Sequence, residues 1–490
     1  TDDSMWEELP VPGEWPASDG ARLYRHRFEA PAPEHGRAWL VFDGIWQQGD
    51  VWLDGGYLGD TDGAFARHTF EVTEQLRSAR EHLVAVDVAG DNDRGGIWKD
   101  VRIEHTGAVR ARSLRILCRD ATTDRAVVAL RAELDSDVAR TVDVRTAIAG
   151  VRDVSQHPIA AGSNFVEWTV TVPQPERWWP HALGEQPMHH VVVEVVVDGS
   201  TSHTLRRKVG LRSIGMRNGI VTVNGERLFV KGICGLNIAL ARDAGFDLVR
   251  LDGIAPEHVY EDADRFGVLL WQDFRPPGTR KQAARQANAA VDLLGHHPSL
   301  AVWSPSRTAK RAVDKADNTR PVLGPGWPHV DDPVPLARAI PRLVRFVDRL
   351  TPEPDARSRI EALRRIKYRP TGGFCLDGAV GLEVVDACRP VIVVADPLPE
   401  VVSAGDTLAL DVHVVSELRT PIESARVDAV LAWRGGSHDW HWEGAVPADG
   451  CTLVGTVQAV VPDTLGPLRL ELTLHADEHV ATNAVETTIV

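Results

Sequence analysis

The chain has 490 residues, 43% of them hydrophobic and 25% charged, a composition that fits a folded globular protein and excludes a disordered or fibrous one. That length is too great for one hydrophobic core and implies about three or four domains. Asp and Glu outnumber Lys and Arg, 69 to 54, for a net charge of -15; the carboxylates are spread along the whole chain, which reads as a solubility feature and argues against nucleic acid as a partner.

Residues 1 to about 108 alternate apolar and polar side chains, with strands predicted at Arg37 to Phe42, Gln48 to Gly55 and His82 to Val88, separated by Gly and Asp turns. Short strands at regular spacing indicate an antiparallel sandwich. Residues 109 to about 210 repeat the pattern in Ala126 to Leu134, Asn164 to Val172 and His189 to Gly199, a second and smaller sandwich. From Ile214 the rhythm changes. A hairpin over Val221 to Val230 turns on Asn224-Gly225. Short apolar strands then alternate with helices: Phe246 to Gly253, a helix through Glu257 to Arg265, Gly267 to Phe274, a helix through Arg280 to Leu294, and the strand beginning at Leu300. Strands alternating with helices of this length mean βα units on a parallel sheet. After Arg389 the pattern is again all strand and predicts a third sandwich. The expected domains are 1–108, 109–212, 213–388 and 389–490.

Five cysteines are few, odd in number and without CxxC spacing, so neither a disulfide framework nor a zinc site is expected, and a reducing compartment fits best. No apolar run approaches the roughly 20 residues of a membrane span. TDDSMWEELP has no apolar leader core; a cytoplasmic location is expected, with secretion left open because the sequence does not begin with Met. Fifteen tryptophans against four tyrosines read first as core and second as stacking surfaces for sugar rings. His189-His190 and His296-His297 are adjacent pairs expected to diverge, and no HExxH, GxSxG or phosphate-loop motif is present, so no metal and no cofactor is expected.

Several stretches resemble glycoside hydrolase family 2. Val51 to Thr73 with Gly90 to Ile103 looks like its N-terminal sugar-binding jelly roll. Arg177 to Val195 with Arg206 to Ile214 resembles its immunoglobulin-like domain and the lead into a barrel. Val223 to Ile233 is similar to the first barrel strand, and ARDAGFDLVR, FGVLLWQDF and HHPSLAVW resemble strands two to four of the β-mannosidase-like branch. The implied architecture is a jelly roll, an immunoglobulin-like sandwich, a (β/α) TIM-like barrel and a C-terminal sandwich. The barrel is shortened, since Leu228 to Cys388 is about 160 residues against about 250 for a complete one. Its first strand runs almost directly into a helix containing Ala241 to Gly245.

The resemblance implies hydrolysis of a terminal β-glycoside by two carboxyl groups about 5 Å apart, one acid/base and one nucleophile. The acid/base belongs in an Asn-Glu pair shortly after Trp303, where this chain has Ser304-Pro305-Ser306-Arg307. The nucleophile belongs after a run such as Arg342 to Val347, which here leads into Asp348, Arg349 and Leu350. A hydroxyl cannot protonate a glycosidic oxygen near neutral pH, and an Arg cannot act as nucleophile. Asp348 is shifted by one residue, which in a strand turns it to the opposite face.

The weak catalytic candidates are therefore Asp273 and Asp348. Asp273, at the end of its strand, reads first as a structural cap or the partner of an Arg and second as catalytic. Sugar-binding candidates are Trp303 as a pocket floor, Arg250 with Asp252 either as sugar ligands or as an ion pair, Asp273, Trp271, and Asp93 in the Asp91-Asn92-Asp93 turn. The expected function is a carbohydrate-associated protein that binds a terminal β-linked sugar or serves as a non-catalytic partner, alone or as a homo-oligomer. The rivals are an active retaining exo-β-glycosidase with acids from other positions or from loops outside this sequence, and a structural interaction protein.

Overall fold

The computed structural model describes residues 3, 5–16, 20–46, 48–63, 66–90, 94–217, 219–235, 237–276, 278–323, 347–350, 356–365, 372–378 and 381–490, with backbone alone at 94, 347–350 and 383. The protein is mostly β-strand, and its residues fall into two units. One comprises Thr1–Trp178, Pro187–Ser213 and Phe274–Gly324; the other comprises Trp179–Gln186, Ile214–Asp273 and Pro325–Val490.

The first unit begins with two antiparallel sheets. One has the strand order Ala21–Glu29, Glu81–Ala89, Gln48–Leu53, Gly56–Asp62, and the other His68–Glu71, Arg37–Phe42, Val101–Thr106. Alternate residues of both, Ala38, Leu40 and Phe42 from one and Val84, Val86 and Val88 from the other, share a single core. Period-two burial of this kind makes a two-layer sandwich. A second pair of sheets follows, Val109–Ala121, Arg125–Ser136, Gly162–Pro173 and Val151–Ile159, Arg140–Ile148, His189–Val197, Ser200–Val209. Val166, Trp168 and Val170 meet Val191, Val193 and Val195 in its core.

The same unit holds the helix Arg280–Leu294, the strand Leu300–Pro305 and the helix Lys310–Ala316. The first helix buries Ala283, Ala287, Ala290, Val291 and Leu294, one stripe at helical spacing. Arg115 of the second sandwich fastens this segment, donating from Nε to Asp292 Oδ1 at 2.6 Å and from Nη1 to the Ala316 carbonyl at 3.0 Å.

In the second unit the predicted hairpin turns at Asn224-Gly225, with φ of 51° and 88°. A parallel sheet comes next, with strands in the order Leu269–Phe274, Leu248–Asp252, Val230–Cys234, Gly373–Leu376, Val347–Leu350. All six residues of Leu269–Phe274 are buried, as expected of a parallel strand covered on both faces. Among the described residues this sheet is open, so the shortened barrel read from the sequence is not observed as a closed ring. Among the described residues fewer than eight strands join it, and closure needs a full complement at matched tilt and stagger. The helix expected to include Ala241 to Gly245 is Ile238–Asp243; Gly245 already has φ of +82°, a conformation that ends a helix.

The unit closes with a third pair of sheets, antiparallel except that Val401–Val402 runs parallel to His479–Ile489. One has the order Val391–Ala395, Thr407–Ser416, Cys451–Val460, and the other Val401–Val402, His479–Ile489, Gly466–Ala476, Ile422–Trp433, Gly436–Val446.

Candidate functional site

In open parallel sheets, chemistry gathers where the strands end at their carboxyl termini, because loops there are free to vary over a fixed frame. Register places Cys234 beside Arg250, Arg250 beside Trp271, and Asp252 beside Asp273 at that end of the second unit's sheet.

Arg250 and Asp273 are brought together. Nε of Arg250 donates to Oδ2 of Asp273 at 3.2 Å, and Nη2 donates to Oδ1 at 3.3 Å and Oδ2 at 3.1 Å. Both residues are buried, 8% and 2% exposed. Burial presses the Arg250 pKa down, but the charge of Asp273 and its hydrogen bonds outweigh this and raise it. The guanidinium also lies over the Trp271 ring at 5.1 Å. Of the two sequence readings of Asp273, the structure gives the Arg partner. The pairing of Arg250 with Asp252 does not form: Asp252 is exposed, and its neighbour across the strands takes the cation. The adjacent Gln272 is held by the Tyr260 hydroxyl, which donates to Oε1 at 2.6 Å, and its own Nε2 donates to the Gly253 carbonyl at 2.6 Å.

Trp303 belongs to the first unit and is fully buried. Its Nε1 donates to Asp317 Oδ2 at 2.9 Å, and the same oxygen accepts from Arg320 Nη1 at 2.8 Å. Burial opposes the charged Asp317, yet Arg320 and these donors hold its pKa below the usual carboxylate range. An indole so enclosed offers no face to a ligand, so the core reading describes it and the pocket floor does not. Where the family resemblance implies an Asn-Glu pair, Ser304 is half-buried and Pro305 buried. The Ser306 amide donates to the Phe274 carbonyl at 2.8 Å.

Asp348 lies on the Val347–Leu350 strand, which pairs with Gly373–Leu376; its side chain and residues 342–346 lie outside the described residues, as does Asp93. His296 and His297 do not diverge as expected, and their ring centroids are 4.1 Å apart. They sit in the irregular chain between helix and strand, where strand alternation does not apply. Burial, then the neighbouring His297, puts the His296 pKa well below its ordinary value. Among the described residues, no cluster of three or more His, Cys, Asp or Glu side chains has the arrangement of a metal site.

Sequence reasoning missed two groupings. Cys234 Sγ lies 3.9 Å from Cys375 Sγ. Lys231, 3% exposed, pairs with Asp247 at 3.2 Å and with Glu417, which also meets Arg364 at 3.0 Å. Only the charged Lys231 and Asp247 in otherwise apolar stretches hinted at the second.

Comparison with known families adds the lineage. The family profile described as "Glycosyl hydrolase 2 galactose-binding domain-like" matches residues 14–120, and that described as "Glycosyl hydrolases family 2" matches residues 109–212. Residues 14–212 thus match glycoside hydrolase family 2 models. The chain's relatives include β-mannosidases and exo-β-D-glucosaminidases. It is 22% identical over 360 residues to beta-mannosidase B of Emericella nidulans, covering 57% of this chain and 43% of that protein. It is 27% identical over 284 residues to an exo-beta-D-glucosaminidase of Amycolatopsis orientalis, covering 48% and 27%. The chain thus spans less than half the length of these relatives. Among solved structures, the beta-D-mannosidase of Dictyoglomus thermophilum superposes with a TM-score of 0.76 at 15% identity, covering 96% of this chain and 82% of that one. The exo-chitosanase of Amycolatopsis orientalis gives 0.79 at 17% identity, covering 95% and 76%. At these identities the likeness concerns the fold.

Proposed function

We propose that this family 2 chain is a sugar-binding, non-hydrolytic member that recognises a terminal β-linked pyranoside. The observation that carries the proposal is the occupancy of the acid/base position: Ser304-Pro305-Ser306-Arg307 follows Trp303, and none of these side chains can deliver a proton to a glycosidic oxygen at neutral pH. Asp273, the carboxylate at the end of the parallel strand, is committed to Arg250 in a buried pair. A carboxylate whose oxygens both accept from a guanidinium is not placed to donate a proton as the acid. In this reading the domains keep the boundaries drawn from the sequence, the parallel sheet is the shortened form of the family barrel, and the first sandwich is its jelly roll.

Support for carbohydrate as ligand comes from the relatives. A variant of the Amycolatopsis exo-chitosanase was solved in complex with PNP-beta-D-glucosamine. Aryl β-mannoside, β-glucosaminide and β-galactoside are the probes. The expected result is no turnover above the uncatalysed rate, with a rise in thermal midpoint for one of them; ligand at 100 times Kd adds about 2.7 kcal/mol to stability. Turnover abolished by Asp273→Asn or Asp348→Asn would instead make the protein an active glycosidase. No stabilisation by any of these sugars would leave a structural interaction protein.

A further inference from the structure

The second unit places two thiols against each other at the end of the parallel sheet. Gly232 is the register partner of Cys375, so Cys234, two residues on, faces the same side of the sheet as Cys375. Their sulfurs are 3.9 Å apart, and neither is in a disulfide. They are not equivalent. Cys375 is buried, whereas Cys234 is half-buried and is the last residue of its strand. Arg250 is the register partner of Cys234, its charge acts on both sulfurs, and a neighbouring cation favours the reactive thiolate.

We propose that Cys234 and Cys375 form a redox-active dithiol, which hydroperoxides convert reversibly to a disulfide. Cys234 Sγ, as thiolate, attacks one peroxide oxygen. The O–O bond breaks, hydroxide leaves, and Cys234 becomes a sulfenic acid. The Cys375 sulfur then attacks the Cys234 sulfur, the S–O bond breaks, and the oxygen departs as water with the Cys375 proton. For hydrogen peroxide the sum is two thiols and one peroxide giving one disulfide and two waters. The roles follow from position: the contact with Cys234, then burial, hold the Cys375 thiol protonated far above the usual range, which suits a resolving partner rather than the first nucleophile. Bonding requires the sulfurs to close from 3.9 Å to about 2.05 Å. The adjustment falls on the strand end at Cys234 and Gly235.

This inference is independent of the sugar-binding reading, and its test does not use sugar. The reduced full-length chain is treated with one equivalent of hydrogen peroxide, alkylated, and digested without reductant. The expected result is a cross-linked pair of peptides carrying Cys234 and Cys375, about 2 Da lighter than their sum. A reductant restores both alkylatable thiols. In Cys375→Ser, Cys234 should instead accumulate sulfenic acid that dimedone captures. Retention of all five thiols, a different pairing, or oxygen kept on Cys234 in the native chain overturns the proposal. The native-chain digest decides even where the variant misfolds.

Discussion

Asp273→Asn takes away the charge that accepts three hydrogen bonds from the buried Arg250, whose guanidinium lies over Trp271. Breaking a buried pair from one side typically costs about 3–5 kcal/mol, so Asp273→Asn should lower the urea midpoint by a corresponding amount. Asp252→Asn, at the exposed register partner of Asp273, should change stability by less than about 0.5 kcal/mol. Equal losses in the two variants would show that Arg250 does not depend on Asp273. Glu104 poses a similar question with a pH signature. It accepts from Arg110 Nε at 2.8 Å and lies 3.2 Å from His203. Burial works against its charge, but His203 and Arg110 prevail and hold its pKa far below the ordinary carboxylate value. A folded pKa below the unfolded one adds stability that is fully present above the unfolded pKa and is lost as pH falls toward the folded one. Glu104→Gln should therefore cost about 3 kcal/mol at pH 7, where it strands the fully buried Arg110. The gap to the native chain should narrow progressively as pH drops below about 4.5. A gap independent of pH from 7 to 3, measured by denaturant titration, would contradict this electrostatic account.

At the scale of the element, the helix Arg280–Leu294 is the clearest case of structure written locally. Thr279 caps it: its hydroxyl accepts from the Gln282 amide, and the Gln282 side chain accepts from the Thr279 amide at 2.9 Å. Thr279→Ala should cost about 1 kcal/mol, read as a fall in thermal midpoint, and Thr279→Ser should recover most of it. The sandwich strands were equally legible. In Gly162–Pro173, Val166, Trp168, Val170 and Val172 are buried and the residues between them exposed, the period of two that a one-sided strand must show. What remained hidden depends on partners far apart in sequence. Nothing near Arg250 distinguishes Asp252 from Asp273 as its partner, because that choice is made by strand register. No spacing rule joins Cys234 to Cys375 across 141 positions. The tryptophans were ambiguous for the same reason: Trp303 and Trp271 lie at strand ends where a ligand platform would stand, yet both are buried, and only packing reveals it.

On the scale of the whole chain, a net charge of -15 opposes compaction through self-repulsion, and buried charge has to be settled locally. The second unit does this with a four-residue network. Lys231 and Asp247 belong to the parallel-sheet region, Arg364 to the helix Ala356–Arg365, and Glu417 to the turn after Thr407–Ser416 of the last sandwich. Arg364 adds bonds from Nη1 to the Ala387 and Arg389 carbonyls, each at 2.7 Å. Burial opposes the Lys231 charge, but Asp247 and Glu417 reverse the effect and raise its pKa. Because each charge compensates one on a different element, opening the sandwich would leave Lys231 and Arg364 without Glu417. That penalty couples the sandwich to the sheet. Lys231→Met keeps the side-chain bulk and removes the cation, leaving Asp247 and Glu417 buried without it. The expected cost is about 3–5 kcal/mol, and it should appear as lost coupling. In the native chain, amide hydrogen exchange in Leu248–Asp252 and in Gly466–Ala476 should slow together as one cooperative body. In the variant the two segments should exchange at separate rates. Were they to remain matched in Lys231→Met, the tie between sheet and sandwich would rest on apolar packing instead of this network.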